Sequence, residues 1–462
     1  MTKTDMENRG PGGLDGRGAI AAVAESSTTV GELHRDALQR AERWEPTLGA
    51  FVQMVDFPGE SPSGPLAGMV LGIKNHVSMA GYVNWSSLQA NGAAAKPSLD
   101  SATVLTRLID AGAVVAGTTA SPMADTVAGG VTPQTKNPRS YGLVSGGSSG
   151  GSAAALAAGL VHGALGSDAG GSIRIPAACC GVVGLHTTRG LVPLTRAGGL
   201  TYSMGTVGPM AMTVADTRLL LHAIQGPDGE DRYCLPATPQ APLSGPVRVG
   251  VPAELLDSNI DADVRSAFES VLDLLAGQGA VVERVSIPLI NDSMELGPWT
   301  IGIVESAAMI EDHFGDVLDE HPVLQDVIRR SSEISARRLA RTYHRVAGFR
   351  AQLTEAFASY DFLLSPTLPC RVPDSSEVER EAEVVVGGVI ETRTSALTRF
   401  VNPWNLAAVP AGTLPVGRDA DGAPISLQVV GPQFSDDRIL DLMETIESAL
   451  GGPWPTVVAP PL

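Results

Sequence analysis

Residues 145–185 read SGGSSGGSAAALAAGLVHGALGSDAGGSIRIPAACCGVVGL. Two Gly/Ser turns, at residues 146–151 and 166–172, are joined by a run of small residues. Glycine is required where the backbone takes positive φ or where a ligand must approach main-chain N–H groups. Each turn also supplies serine hydroxyls that can act as nucleophiles or proton carriers. The segment 152–160 (SAAALAAGL) predicts a helix, since alanine has the highest helix propensity, with Ser152 as its N-terminal cap. The first turn then sits at the positive end of a helix, beside unpaired N–H groups. Such a place suits negative charge next to a serine.

The flanks follow an α/β rhythm. Residues 30–44 predict a helix capped by Thr28 or Thr29, with Leu33, Leu38 and Ala41 facing inward. The short apolar run 69–73 (MVLGI) leads directly into Lys74. TVLTRLIDAG at 103–112 is a helix ended by Gly112, and AVVAG restarts as a buried strand. The same unit returns as VRVGV (247–251), a helix through Val264, Phe268, Val271 and Leu275, and VVERVSI (281–287). Residues 339–360 carry Leu339, Tyr343, Val346, Phe349, Leu353, Phe357 and Tyr360 three or four apart, an amphipathic helix of about 25 residues. Strands at 361–368, 408–416 and 425–430 and a helix at 438–450 close the chain.

At 462 residues the chain exceeds the usual size of one hydrophobic core, although α/β folds run large. Its 44% hydrophobic and 18% charged residues are globular. A net charge of −18 disfavours nucleic acid and anionic membranes, which need a basic patch. Cys179, Cys180, Cys234 and Cys370 fit neither a zinc spacing nor a C-x-x-C motif, which reads as buried thiols in a reducing compartment. No apolar leader or run of about 18 apolar residues is seen, so a cytoplasmic protein is expected. The polar, Gly-rich residues 1–18 are expected to be disordered.

Lysine is scarce: Lys3, Lys74, Lys96 and Lys136 are the only ones. Only Lys74 ends an apolar run. Burial there would disfavour the ammonium form and make the amine a competent general base near neutral pH. From this run alone, a structural lysine snorkelling at a strand end is the favoured reading. The Gly/Ser turns downstream favour the base.

MVLGIK at 69–74, GGSSGGS at 146–152 and GSDAGGSIRIPAACCGVVGL at 166–185 together resemble the amidase signature family of serine hydrolases. TKNP at 135–138, TVGPMAMTVAD at 206–216 and NLAAVPAGTLPVG at 405–417 extend the likeness over roughly residues 30–450. The two turns, with 24 residues from serine to serine, are a specific signature. The resemblance implies an α/β fold with a central mixed, twisted sheet between helices on both faces and a variable helical cap near residues 290–360. It implies one domain over residues 19–462, with its signature core at about 66–225 and 361–450. It also implies a Ser–cis-Ser–Lys triad: Ser172 as nucleophile, Ser148 as bridging serine after a cis peptide bond, and Lys74 as base. Main-chain N–H groups of Ala169, Gly170 and Gly171, with that of Ser172, would form the oxyanion hole, supported by Ser149, Asp168 and Arg174. No cofactor and no metal is implied, and a homodimer is left open.

Several positions depart from the family pattern. His186, Gly205 and Met212 stand where the family commonly carries lysine, aspartate and arginine. In the loop TTASPMAD (118–125), Ala120 and Met123 replace polar residues beside Ser121. If this loop borders the substrate pocket, the pocket is apolar and suits an apolar or aromatic acyl group. Members that serve as the glutaminase subunit of a tRNA-dependent amidotransferase read SSLDQIGP where this chain has YSMGTVGP (202–209). The absent Asp-Gln pair favours a free-standing hydrolase of small or aryl amides, carbamates (a urethanase) or ureas, with a small-molecule substrate and neither nucleic acid nor membrane as partner. The amidotransferase subunit is the alternative. The G-x-S-x-G pattern at 146–150 also fits an α/β-hydrolase elbow, but the last histidine, His344, lies on the long predicted helix rather than in a C-terminal loop.

Overall fold

A computed structural model of the chain describes residues 10–57, 59, 62–84, 96–121, 135–197, 201–236, 243, 245–314, 322–375 and 382–457. The strands are β1 (Phe51–Met54), β2 (Val70–Lys74), β3 (Val114–Thr119), β4 (Gly163–Asp168), β5 (Val183–His186), β6 (Thr206–Ala211), β7 (Arg248–Pro252), β8 (Val281–Val285), β9 (Phe362–Pro366), β10 (Glu383–Val386), β11 (Val389–Thr392), β12 (Ala411–Arg418) and β13 (Pro424–Val430). Eleven form one sheet in the order β1-β3-β2-β4-β6-β5-β12-β13-β9-β7-β8, and β10 pairs with β11 apart from it. The sheet is mixed: β3-β2-β4 and β9-β7-β8 are parallel, the strands between them antiparallel.

Helices cover both faces, so the inner strands are apolar on both sides and buried end to end. Alternation along a strand sorts residues between the faces. Val70, Val114, Ala116 and Ala164 pack with helices Val30–Leu48 and Gly150–Ala157. Leu71, Ile73, Val115 and Leu165 pack with helices Thr103–Asp110, Val214–Ile224 and Asp436–Ala449. Helix Val30–Leu48 starts where its sequence directs. Thr29 accepts from Glu32 N at 3.2 Å and Glu32 Oε2 accepts from Thr29 N at 2.8 Å, a reciprocal capping box.

The helices Ser293–Leu296 and Ala336–Ser359, with the π-helical turn Gly297–Gly302, pack Leu296, Ile301, Val346, Phe349 and Leu353 against Leu363 of β9 and Val430 of β13. This is the helical cap region. Tyr343, expected on its inner face, is 47% exposed, because the buried stripe runs through Thr342, Val346, Phe349, Leu353 and Ala356.

Two further expectations are corrected. Residues 11–18, expected to be disordered, form a 3-10 turn (Pro11–Gly13) and open the helix Gly16–Ala24. Buried acceptors hold them: His162 Nε2 meets Pro11 O at 2.9 Å, and Asp216 accepts from Gly16 N and Arg17 N at 3.0 and 2.8 Å. Residues 1–9 lie outside the described ones. Helix Gly150–Ala157 begins two residues before Ser152, which lies inside it and bonds Thr119 Oγ1 at 2.7 Å and Leu165 O at 3.1 Å. The Gly150–Gly151 pair enters the helix because Gly151 lies against the Ala50 and Ala120 backbones, where no side chain fits.

Candidate active site

Parallel neighbours β2 and β4 end side by side, and open α/β sheets bind ligands at the carboxyl ends of such strands. Lys74 is the last residue of β2 and is completely buried. Its Nζ donates to Ser148 Oγ at 2.7 Å, to Ser167 Oγ at 2.9 Å and to Ser167 O at 3.3 Å. The Gly147–Ser148 peptide bond is cis. Ser149 ties the two turns together: its N–H donates to Ser172 O at 3.0 Å, and its hydroxyl bonds both Ser167 N and Ser167 O at 3.3 Å.

Within residues 145–188, every residue is buried except Ser148, Ala169, Gly170 and Ser172. The small residues of the quoted stretch are thus a packed wall, open only at two serines and two loop residues above a buried amine.

Beyond β4 the chain turns around the Asp168 carboxylate. Oδ1 accepts from Gly171 N at 2.7 Å and Oδ2 from Ile173 N at 3.2 Å. Arg174, also fully buried, meets Oδ2 with Nε at 3.0 Å and Oδ1 with a terminal nitrogen at 3.2 Å. Asn405 Nδ2 donates to Oδ1 at 2.8 Å. Burial alone would raise this carboxyl, but the Arg174 guanidinium, the His186 ring and the donated hydrogen bonds hold it well below the usual carboxylate range. His186 lies behind it, with Nδ1 2.9 Å from Thr206 Oγ1. Burial pushes its pKa down to about 3, against the pull of Asp168, so the ring is neutral where the family commonly has a cation.

Of the expected triad, Lys74 and Ser148 are directly bonded and Ser172 is tied to the first turn through Ser149 N, while the supporting Ser149, Asp168 and Arg174 are buried behind the two turns. The oxyanion expectation narrows. Gly171 takes φ +109° and is buried, and its N–H is committed to Asp168, which leaves Ala169, Gly170 and Ser172 at the accessible face. Of the expected pocket residues, Ala120 and Ser121 are fully buried. The Ala120 backbone bonds Ala50 O and Gly151 N, and Ser121 Oγ donates to Asn75 Oδ1 at 2.7 Å, so they pack rather than face a substrate. Met123 lies outside the described residues. No sequence pattern singled out Ser167, although it lies within the second turn, or the contact of Asn405 with Asp168. Only Asn405 had a signal, as the first residue of NLAAVPAG.

All four cysteines are free and buried. Among the described residues, no helix is long and apolar enough to cross a membrane.

The amidase family pattern matches residues 21–440. The glutamyl-tRNA(Gln) amidotransferase A subunit of Natronomonas pharaonis is 34% identical over 82% of this chain and 94% of its own length. The protein of the same name from Haloarcula marismortui is 35% identical, with the same coverage. The crystal structure of the glutamyl-tRNA(Gln) amidotransferase A subunit from Thermotoga maritima superposes with a TM-score of 0.81, at 28% identity over 97% of both chains.

These relatives overturn the expectation of a free-standing hydrolase with a small-molecule amide or carbamate as sole partner, since they are subunits of an amidotransferase. That expectation rested on the missing Asp-Gln pair at 202–209. Its aspartate position is Gly205, where a Cβ would stand 2.6 Å from Thr201 O. A tight local turn accounts for the glycine, so its presence says nothing about the substrate.

Proposed function

The chain belongs to the amidase family, enzymes acting on carbon–nitrogen bonds, and we propose that it is the amide-hydrolysing subunit of a glutamyl-tRNA(Gln) amidotransferase. In this reading it splits the side-chain amide of glutamine and passes the ammonia to the rest of the complex. The observation that carries the chemistry is the exposure pattern: Ser148, Ala169, Gly170 and Ser172 alone are accessible along residues 145–188, with Lys74 buried beneath Ser148.

The amine form of Lys74 takes a proton from Ser148, across the 2.7 Å contact, as Ser148 takes one from Ser172. The Ser172 oxygen attacks the amide carbon. N–H groups at the accessible face of the loop, Ala169, Gly170 and Ser172, receive the oxyanion, a role in which one donor is typically worth about 10²–10³ in rate. The protons return along the relay to the leaving nitrogen, ammonia departs, and water releases glutamate from the acyl-enzyme by the same route. Asp168 and Arg174 take no proton. They hold the loop.

A net charge of −18 supports a division of labour in which other subunits contact the tRNA. The reading puts the protein in the cytoplasm, in keeping with four free thiols. The test is ammonia release from glutamine by the purified chain, alone and with the other amidotransferase subunits. Release with the subunits, lost in Ser172→Ala, is expected. Cleavage of aryl amides by the chain alone, with no response to glutamine under either condition, would overturn the assignment.

A further inference from the structure

Residues 401–405 run beneath the oxyanion loop. Val401 O accepts from Arg174 at 2.8 Å, and its side chain occupies the space a Cβ on Gly171 would need. Asn405 Nδ2 donates to Asp168 Oδ1 and, at 3.2 Å, to Asp168 O. Between them lies Asn402, completely buried. Its Nδ2 donates to Ser293 O at 2.9 Å, at the start of the cap. A carbonyl oxygen only accepts, so this bond fixes which end of the amide faces the cap. The other end, Oδ1, is buried with no hydrogen-bond partner. Among the described residues, apart from Gly170's own chain neighbours, it is the one atom within 4 Å of the place a Cβ on Gly170 would occupy, at 3.7 Å. The cap confines the amide from its other side: a Cβ on Gly297, the first residue of the π-helical turn, would stand 2.9 Å from Nδ2 and 3.3 Å from Oδ1. Packing alone would be served by an apolar side chain of similar volume, without an orphaned acceptor.

We propose that Asn402 is a positioning residue for the amide hydrolysis argued above. It takes its orientation from the cap at Ser293 and Gly297 and sets the height of the Ala169–Gly170 peptide against the developing oxyanion. With the Gly171 N–H already given to Asp168, Ala169–Gly170 is the part of the loop whose placement matters most. The cap thereby acts on the rate of acylation. The inference rests on the assignment of Ser172 and its loop.

Acylation is read with p-nitrophenyl acetate as the burst of nitrophenol from the full chain. Burst amplitude counts folded sites and the burst rate constant reports the chemistry, so a variant that merely folds less well loses amplitude alone. A wild-type burst absent in Ser172→Ala establishes the site. Its absence in the wild type would sink the site assignment and this inference with it.

Given the burst, Asn402→Ala lowers the rate constant about 10²-fold, as for a reacting group misplaced by about 1 Å, with half-saturation changed less than about threefold. Asn402→Asp is slow at pH 8 and approaches the wild-type rate at pH 5. There the protonated carboxyl can again donate to Ser293 O, and the charge beneath the loop is gone. Gly297→Ala, which crowds the amide from the cap side, slows acylation in the wild-type background and adds nothing in Asn402→Ala. It also keeps the test alive should Asn402→Ala fail to fold. Wild-type rate constants in Asn402→Ala or Gly297→Ala, a pH-independent deficit in Asn402→Asp, or additive effects in the double variant would each refute the coupling.

Discussion

Arg174→Met removes the cation from a completely buried ion pair while keeping most of the side-chain volume. The guanidinium makes two contacts to Asp168, at 3.0 and 3.2 Å, and bonds Val401 O at 2.8 Å, Gln428 Oε1 at 3.2 Å and Asn405 Oδ1 at 2.6 Å. Methionine leaves the carboxylate with the Gly171, Ile173 and Asn405 donors but no countercharge, and it orphans three acceptors. Breaking a buried pair from one side costs about 3–5 kcal/mol. Urea unfolding at pH 7 should show a loss of about 4 kcal/mol. In the wild type the Asp168 carboxyl lies well below its ordinary value, so its stabilisation is fully present above that value and fades as pH falls below it. In Arg174→Met the buried carboxyl titrates above its unfolded value and instead loses stability as pH rises. The gap between the two proteins must therefore narrow from pH 7 to pH 4. Asp168→Asn in the Arg174→Met background should recover part of the loss by removing the stranded charge. A loss under about 1 kcal/mol, or one independent of pH, would mean that this pair does not hold the loop.

Three further outcomes are expected. Lys74→Arg should be as inactive in the nitrophenyl burst as Lys74→Ala, because a guanidinium is never deprotonated in proteins; substantial activity in the arginine variant would show that Lys74 acts only as a charge. Gly171→Ala forces a side chain into φ +109° and against Val401 and Ile175, and should lower stability by about 1–3 kcal/mol and slow the burst; a neutral result in both assays would contradict the packing. Burial, with Glu444, Asp216 and Asp15 nearby, pushes Glu447 up to about 7, so the folded state holds a proton that the unfolded chain releases near the usual glutamate value, and stability falls as pH rises between the two. Glu447→Gln should reduce the fall in unfolding free energy between pH 5 and pH 8, measured by urea, by about 2.5 kcal/mol at most, and an unchanged fall would remove Glu447 as its cause.

What the sequence disclosed about this site followed from residue chemistry with few alternatives. Gly/Ser turns 24 residues apart and one lysine at the end of an apolar run narrow the choices sharply: Lys74 bonds Ser148, and Ser148 and Ser172 are the two serines of the turns that are not buried. Amphipathic elements were equally readable: the long cap helix, expected at 339–360, spans Ala336–Ser359. Where glycine and alanine dominate, periodicity has nothing to report. β4 takes up Gly166–Asp168, three of the seven residues that read as a loop, because a strand covered on both faces needs no polar alternation. The same uniformity hides β5, β6 and the short helix Arg174–Cys180.

The floor of the site was hidden for a different reason. Asn405 reaches Asp168 across 237 positions and Arg174 reaches Gln428 across 254, contacts that exist only because β12 pairs with β5, and β13 with β12, in the sheet. No local pattern marks an asparagine that will sit under a loop so far away. Substrate assignment failed on the same ground. The residue that steered it, Gly205, answers to Thr201 in its own turn, whereas identity of about a third spread over four-fifths of the chain reflects the whole sheet and its loops. A single substitution carries functional weight when its side chain faces the reacting atoms or supports the loop that does. By that criterion Gly170 and the face above it, with Asn402 beneath, are where differences between this chain and its relatives should alter turnover.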